Sequence, residues 1–275
     1  LVSLSAETAP EASHAWPQVE ATDGGLEAAL KTFLTYGFVV LQGVPTERDA
    51  ILTVASRFGY VRDTNFGKLF EVYSRPNAND LAYTGKVLGP HTDNPYRDPV
   101  PGIQLLHCLI NETSGGLSTL VDSKAVCETL EAEMPGAIAL LNKHPVRFRF
   151  VDATTELIDR GPIVELDSAG RVSGLRYSPR LDYTPLMPED EMRRFHVARA
   201  RLGDLLNEKR YELRFQLKAG ELMMFDNSRV LHGRTGFDPN EGRRHLQGCY
   251  IDIDEPRSRF RVLTRGGTIA SAVAA

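Results

Sequence analysis

The chain is short of the features that most directly announce a partner. Lysine and arginine number 32 against 36 aspartates and glutamates, a formal charge of −4, so there is no excess positive field to displace counterions from a nucleic-acid backbone. No apolar run reaches the roughly 18 residues that a membrane-spanning helix needs, and no membrane partner is expected. Cysteine is scarce. Cys108, Cys127 and Cys249 are odd in number and have no C-x-x-C spacing, which argues against a disulfide framework or a zinc knuckle and fits a reducing, cytoplasmic setting. The opening LVSLSAETAPEASHAWPQ has neither the basic start nor the apolar centre of a secretion signal. Neither common glycine-rich phosphate loop is present.

What the sequence does contain is many short apolar runs between longer amphipathic stretches. Leu26, Leu30, Phe33 and Leu34 fall near helical spacing and predict a helix closed by Gly37. The run from Phe38 to Leu41 predicts a strand, and Pro45-Thr46 the start of a helix through Phe58. Further strands are expected from Gly102, from Gly115, over 146–151, 163–166, 172–177, 211–217, 221–225 and 246–251. Helices are expected over 123–142, despite Pro135, and over 189–208. Residues 61–80 suit a loop or a short strand pair. Residues 1–22 read as a loosely ordered lead-in, 23–265 as one domain, and 266–275 as a frayed tail. The resulting fold class is mainly β with flanking helices, arranged as a double-stranded β-helix or jelly-roll barrel.

The chemistry centres on His91-Thr92-Asp93. In an extended strand residues two apart share a face, so an imidazole and a carboxylate can meet at one point. His232, just beyond the apolar run 222–225, offers a third corner. Two imidazoles and one carboxylate with open positions opposite form the facial triad of non-haem Fe(II) oxygenases. Twelve residues after His232 comes Arg244, which could hold a dicarboxylate by a two-pronged contact.

The stretches NDLAYTGKVLGPHTDNPYRDPVPGIQLLHCL, GGLSTLVD, FDNSRVLHGR and RRHLQGCY keep their order and approximate spacing. In them the chain resembles the γ-butyrobetaine dioxygenase and trimethyllysine dioxygenase branch of the TauD-like Fe(II)/2-oxoglutarate oxygenases. The likeness extends from about Tyr60 to Leu263. It implies the jelly-roll fold on its own account, with His91, Asp93 and His232 as iron ligands. It also implies 2-oxoglutarate and dioxygen as cosubstrates and a homodimeric assembly. Arg244 matches the arginine that grips the distal carboxylate of 2-oxoglutarate, with Ser118 and Leu106 lining the same cosubstrate.

For the substrate, the resemblance implies an aromatic enclosure for a trimethylammonium group. The matching positions are Phe66, Phe70, Tyr73, Tyr83 and Tyr250, while a commonly aromatic position beside the metal aspartate is Asn94. Asp80 and Ser178 stand where butyrobetaine enzymes place asparagines. An acid at position 80 disfavours a substrate carboxylate and resembles the trimethyllysine branch. Arg176 and Arg180 could supply charge for an anionic end group, or be a solvated pair. A small cationic or zwitterionic metabolite is the expected partner: γ-butyrobetaine, trimethyllysine or a trimethylaminoalkyl phosphonate. Another amine-bearing metabolite, or a jelly roll that binds without turnover, stays open as an alternative.

Overall fold

The computed structural model of the protein describes residues 12–73 and 84–265. Asp80, Tyr83 and the tail 266–275 lie outside the described residues.

Two sheets carry the architecture. The larger has six strands: β1 (Ser13–Ala15), β2 (Phe38–Gln42), β13 (Glu221–Asp226), β5 (Ile103–Asn111), β15 (Arg244–Ile251) and β3 (Phe70–Tyr73), in that order across the sheet. The smaller has four: β12 (Glu212–Phe215), β6 (Ser118–Asp122), β14 (Val230–Arg234) and β4 (Leu88–His91). The apolar pattern explains why they stack. On β13, Leu222 and Met224 point to the helical side while Met223 and Phe225 point to the other sheet. On β15, Cys249 and Ile251 face the helices and Leu246 faces inward. That period of two leaves each side of the larger sheet apolar, so both must be covered.

The outer side is covered by α1 (Trp16–Ala21), α2 (Asp23–Tyr36), α3 (Ala50–Phe58) and α7 (Asp254–Thr264). They bury Trp16, Leu30, Phe33, Ile51 and Phe58 against Leu105 and Met224, with Phe260 and Leu263 of α7 at the margin. The inner side meets the smaller sheet through Phe38, Met223 and Phe225 on one and Leu120, Leu213 and Val230 on the other. A third apolar cluster joins α4 (Ser123–Glu133), α5 (Ala137–Lys143) and α6 (Glu189–Leu206) to the hairpin of β7 (Val146–Val151) and β8 (Glu156–Gly161). Beside it lie β9 (Val164–Leu166), β10 (Val172–Leu175) and β11 (Asp182–Tyr183).

Several expectations change. The stretch 1–22 is folded from Ala12 onward, because β1 pairs in parallel with β2 and Trp16 and Val19 are buried. The helix expected from Pro45-Thr46 begins at Ala50, after Asp49 takes a left-handed turn at φ 70°. The single helix expected over 123–142 is two, α4 and α5. Pro135 lacks the amide proton a continuing helix needs and disfavours helical geometry at Met134, and Gly136 then turns at φ 87°. Strands β8 and β14 and helix α7 were not anticipated; five of the eleven residues of α7 are charged and only Pro256 is buried.

His107 on β5 is fully buried, and neither ring nitrogen has a hydrogen-bond partner among the described residues. Burial lowers its pKa to about 4. Between the ordinary value near 6.5 and about 4 the unfolded chain therefore binds the proton that the folded chain refuses. Stability from this group is complete above that window and is lost as pH falls through it, by up to about 3 kcal/mol. His107→Leu should flatten this part of the stability profile, which urea unfolding at pH 7 and pH 5 will read; an unchanged slope would refute the assignment.

Candidate metal centre and its cavity

The three sequence-predicted ligands meet. One ligand atom from each of His91, Asp93 and His232 lies within 4.8 Å of the others. His91 Nε2 is 3.0 Å and His232 Nε2 is 3.8 Å from Asp93 Oδ1. Strand pairing produces this: β14 runs antiparallel to β4 with His232 directly across from His91, and the rings are 4.3 Å apart. The strands come so close that a Cβ on Gly233 would lie 2.4 Å from the Leu88 carbonyl oxygen, so glycine is required beside the ligand.

Thr92 explains the spacing of the H-x-D pair. It points away from the two ligands, donates its hydroxyl to the Leu175 carbonyl at 2.9 Å and accepts the Tyr177 amide at 3.1 Å. Asn94 follows in the left-handed region at φ 49°, a conformation that asparagine tolerates, and turns the chain away. The Asp93 peptide is held from outside by Asn227, which is fully buried at the turn between β13 and β14. Asn227 Oδ1 accepts the Asp93 amide at 2.9 Å, and its Nδ2 donates to the carbonyls of Asp93 at 3.1 Å and Pro101 at 2.9 Å. One side chain thus reproduces a strand's hydrogen bonding on the residue that most needs fixing.

The protonation pattern suits a cation. The Gly89 carbonyl, 3.0 Å from His91 Nδ1, can only accept a hydrogen bond. The proton therefore belongs on Nδ1, and the Nε2 lone pair faces the Asp93 carboxylate. Asp93 Oδ2 is occupied by the Tyr250 hydroxyl at 2.8 Å, leaving Oδ1 for the shared point. Burial alone would raise the Asp93 carboxyl. The neighbouring His232 and His91 rings and the Tyr250 hydroxyl outweigh it and hold the carboxyl well below the usual carboxylate range. Burial, aided by the His91 ring, lowers His232 to about 3, so it is a neutral imidazole at pH 7. A neutral imidazole and an ionised carboxylate are the forms that ligate a divalent metal.

These ligands open into a cavity of about 640 Å³ between the sheets. Arg244, Ser118 and Leu106 line it, as do Phe66, Phe70, Asn94 and Tyr250. Arg244 is buried; its guanidinium packs on Phe237 at 5.4 Å and gives one long hydrogen bond, 3.3 Å, to the Gly116 carbonyl. Among the described residues no carboxylate pairs with it. A buried cation left so is costly, and the cavity supplies the place for an anion.

Two predicted residues are not brought there. Tyr73 points into a neighbouring pocket beside His245. Ser178 is buried in a turn, its carbonyl accepting the amides of Leu181 and Asp182, and is not among the cavity's lining residues. Arg176 is likewise committed elsewhere: it pairs with Asp159 at 2.5 Å and donates to the Pro95 carbonyl at 2.7 Å. Sequence reading missed Asn227, Tyr96, Phe150, Gln104 and Arg234. Of these Arg234 was accessible to it, since it lies two residues after His232 and so on the same strand face.

The sequence model of the family described as "Taurine catabolism dioxygenase TauD, TfdA family" matches residues 4–250. The chain belongs to this family. Among its relatives, the γ-butyrobetaine dioxygenase of Pseudomonas sp. (strain AK-1) is 43% identical over 229 residues, covering 83% of this chain and 60% of that protein. Human γ-butyrobetaine dioxygenase is 33% identical over 244 residues, 85% of this chain and 62% of that one. The mitochondrial trimethyllysine dioxygenase of Gallus gallus is 32% identical over 248 residues, 88% of this chain and 59% of that one. The chain thus spans about 60% of the length of these relatives. In fold it is similar to asparagine oxygenase solved with Fe(II), 3-hydroxyasparagine and succinate, with a TM-score of 0.66, 19% identity, and coverage of 86% and 82% of the two chains.

His232→Ala should lose most bound Fe(II) while keeping the wild-type circular dichroism spectrum. Asn227→Ala should weaken metal binding and also cost about 1–3 kcal/mol of stability, since the Asp93 amide and two carbonyls lose their partner. Metal content by atomic absorption alongside thermal unfolding will separate the two effects. Full iron occupancy in His232→Ala would overturn the triad.

Proposed function

We propose that this protein is an Fe(II)- and 2-oxoglutarate-dependent dioxygenase that hydroxylates a small quaternary-ammonium metabolite. One observation carries the reading: a two-histidine, one-carboxylate cluster, a buried arginine with no carboxylate partner among the described residues, and aromatic faces line the same cavity. Bound there, iron with 2-oxoglutarate and dioxygen supplies oxidative decarboxylation to succinate and carbon dioxide and the hydroxylation of an unactivated C–H bond. The chain's own residues do the positioning. His91, Asp93 and His232 hold the metal, Arg244 takes the distal carboxylate of 2-oxoglutarate, and Ser118 and Leu106 border the cosubstrate. The two sheets are read as the halves of a jelly roll whose interior is this cavity.

The relatives named for γ-butyrobetaine and trimethyllysine support a trimethylammonium substrate, as do the faces of Phe66, Phe70 and Tyr250, which attract a cation that cannot donate hydrogen bonds. Asp80 and Tyr83 are assigned to the same substrate by resemblance, with Asp80 meeting an α-amino group. A cytoplasmic homodimer is part of the proposal; among the described residues no helix is long and apolar enough to cross a membrane.

The test is substrate-dependent succinate formation across γ-butyrobetaine, trimethyllysine and a trimethylaminoalkyl phosphonate. No turnover with any cationic metabolite would overturn the substrate class. Arg244→Ala should raise the 2-oxoglutarate requirement roughly a hundredfold or more, because the buried carboxylate loses its charged partner, with iron affinity little changed. Asp80→Asn should weaken trimethyllysine binding and leave γ-butyrobetaine binding equal or better, measured as dissociation constants for both. Identical shifts for the two ligands would remove Asp80 from recognition.

A further inference from the structure

The aromatic side of the cavity depends on a residue that touches no substrate. Gly248 lies on β15 directly across from Phe70 of β3 and, on its other side, across from Leu106 of β5. Leu246, Gly248 and Tyr250 alternate along one face of β15, the face that looks into the cavity. Leu246 and Tyr250 line the cavity; Gly248 does not, because the Phe70 ring covers it. A Cβ built on Gly248 would fall 2.2 Å from Cζ and 2.3 Å from Cε2 of that ring. No side chain larger than hydrogen permits the ring to stay.

The ring so placed stacks on Tyr250, with centroids 5.1 Å apart and planes at 28°. Tyr250 is itself fixed, since its hydroxyl donates to Asp93 Oδ2 at 2.8 Å. The sequence of contacts therefore goes from Gly248 to Phe70, to Tyr250, to a metal ligand. The other aromatic residues of the cavity form a separate group: Phe150 meets Tyr96 at 5.0 Å and Phe66 at 5.8 Å, and Arg97 already lies over Phe66 at 5.9 Å and over Tyr96 at 5.7 Å. A guanidinium thus already competes for those two rings. Among the described residues no guanidinium lies over the Phe70 or Tyr250 ring, and these are also the aromatics tied to the metal centre.

We propose that Gly248 is a specificity-determining position: by leaving room for Phe70 to lie across β15 against Tyr250, it sets the aromatic wall that takes the substrate's cationic head. Gly248 acts through Phe70 and is a positioning residue. The inference rests on the quaternary-ammonium reading above. A side chain at 248 lifts Phe70 off Tyr250, moves the wall into the cavity and removes a face from the cation, without altering His91, Asp93, His232 or Arg244.

The experiment is calorimetric titration of tetramethylammonium, and of 3,3-dimethylbutan-1-ol, whose tert-butyl group is the uncharged counterpart of a trimethylammonium head, into anaerobic protein loaded with Fe(II) and 2-oxoglutarate. Wild type, Gly248→Ala, Phe70→Ala and the double variant are compared. Gly248→Ala is expected to weaken tetramethylammonium binding roughly tenfold, with iron content and 2-oxoglutarate affinity unchanged. The double variant is expected to bind as Phe70→Ala does, with no further loss, and to melt higher than Gly248→Ala because the clash is gone. Wild-type affinity in Gly248→Ala, or full additivity in the double variant, overturns the proposal. A wild-type protein that prefers the neutral alcohol to the cation instead overturns the quaternary-ammonium reading, and this inference with it.

Discussion

The antiparallel pairing of β14 with β4 is the constraint on which the site depends. It sets His232 opposite His91, and only that register brings the two imidazoles to one point. A slip of one residue would turn His232 to the opposite face of its strand, because side chains alternate. The register is held from both sides. β14 also pairs with β6, placing His232 across from Leu120 in the apolar layer between the sheets. The Phe225 ring from the larger sheet packs on His232 at 4.7 Å.

The carboxylate is held differently, since Asp93 lies beyond the end of β4 and has no strand neighbour of its own. Its backbone is bonded to Asn227 and its side chain to Tyr250. These two residues come from the β13–β14 turn and from β15, so both sheets converge on the one ligand that strand pairing does not fix. Buried ion pairs stiffen the same region. Arg229 donates to Asp122 at 3.1 Å and to the Thr35 carbonyl at 2.9 Å, tying the start of β14 to the end of β6 and to α2. Asp122 also caps α4 by accepting the Lys124 amide at 3.0 Å. Losing one member of such a pair leaves an uncompensated buried charge, which typically costs about 3–5 kcal/mol.

Charge in the cavity is divided. Asp93 provides the negative pole at the metal point, while Arg234 and Arg244 are both buried and pack on Phe237, each with its guanidinium carbon 5.4 Å from the ring centroid. Arg234 donates to the Thr84 carbonyl, whereas among the described residues the one hydrogen bond of the Arg244 guanidinium is the long one to the Gly116 carbonyl. The two arginines therefore differ: one secures the chain that leads into β4, and the other is the one proposed to hold the 2-oxoglutarate carboxylate. Arg176, which could have faced a substrate, instead fixes the turn after Asp93 through the Pro95 carbonyl.

The sequence by itself determined whatever depends on alternation within one strand. His91 and Asp93 share a face because they are two apart, and the apolar runs on β2, β5 and β13 declare buried strands. His232 and Arg244 were legible from their place beside such runs, and the family resemblance gave them roles. Tyr73 shows where local reading fails for lack of one fact. On β3, Phe70 and Val72 line the cavity, and Tyr73, three positions from Phe70, falls on the opposite face; the parity was unavailable until β3 was known as a strand. Asn227 meets Asp93 across 134 positions of chain, and Gly248 makes room for Phe70 from a strand that no local pattern couples to β3. Those partnerships were decided by tertiary structure alone, because hydrogen-bond direction and van der Waals overlap between distant segments exist only after the sheets have paired and stacked.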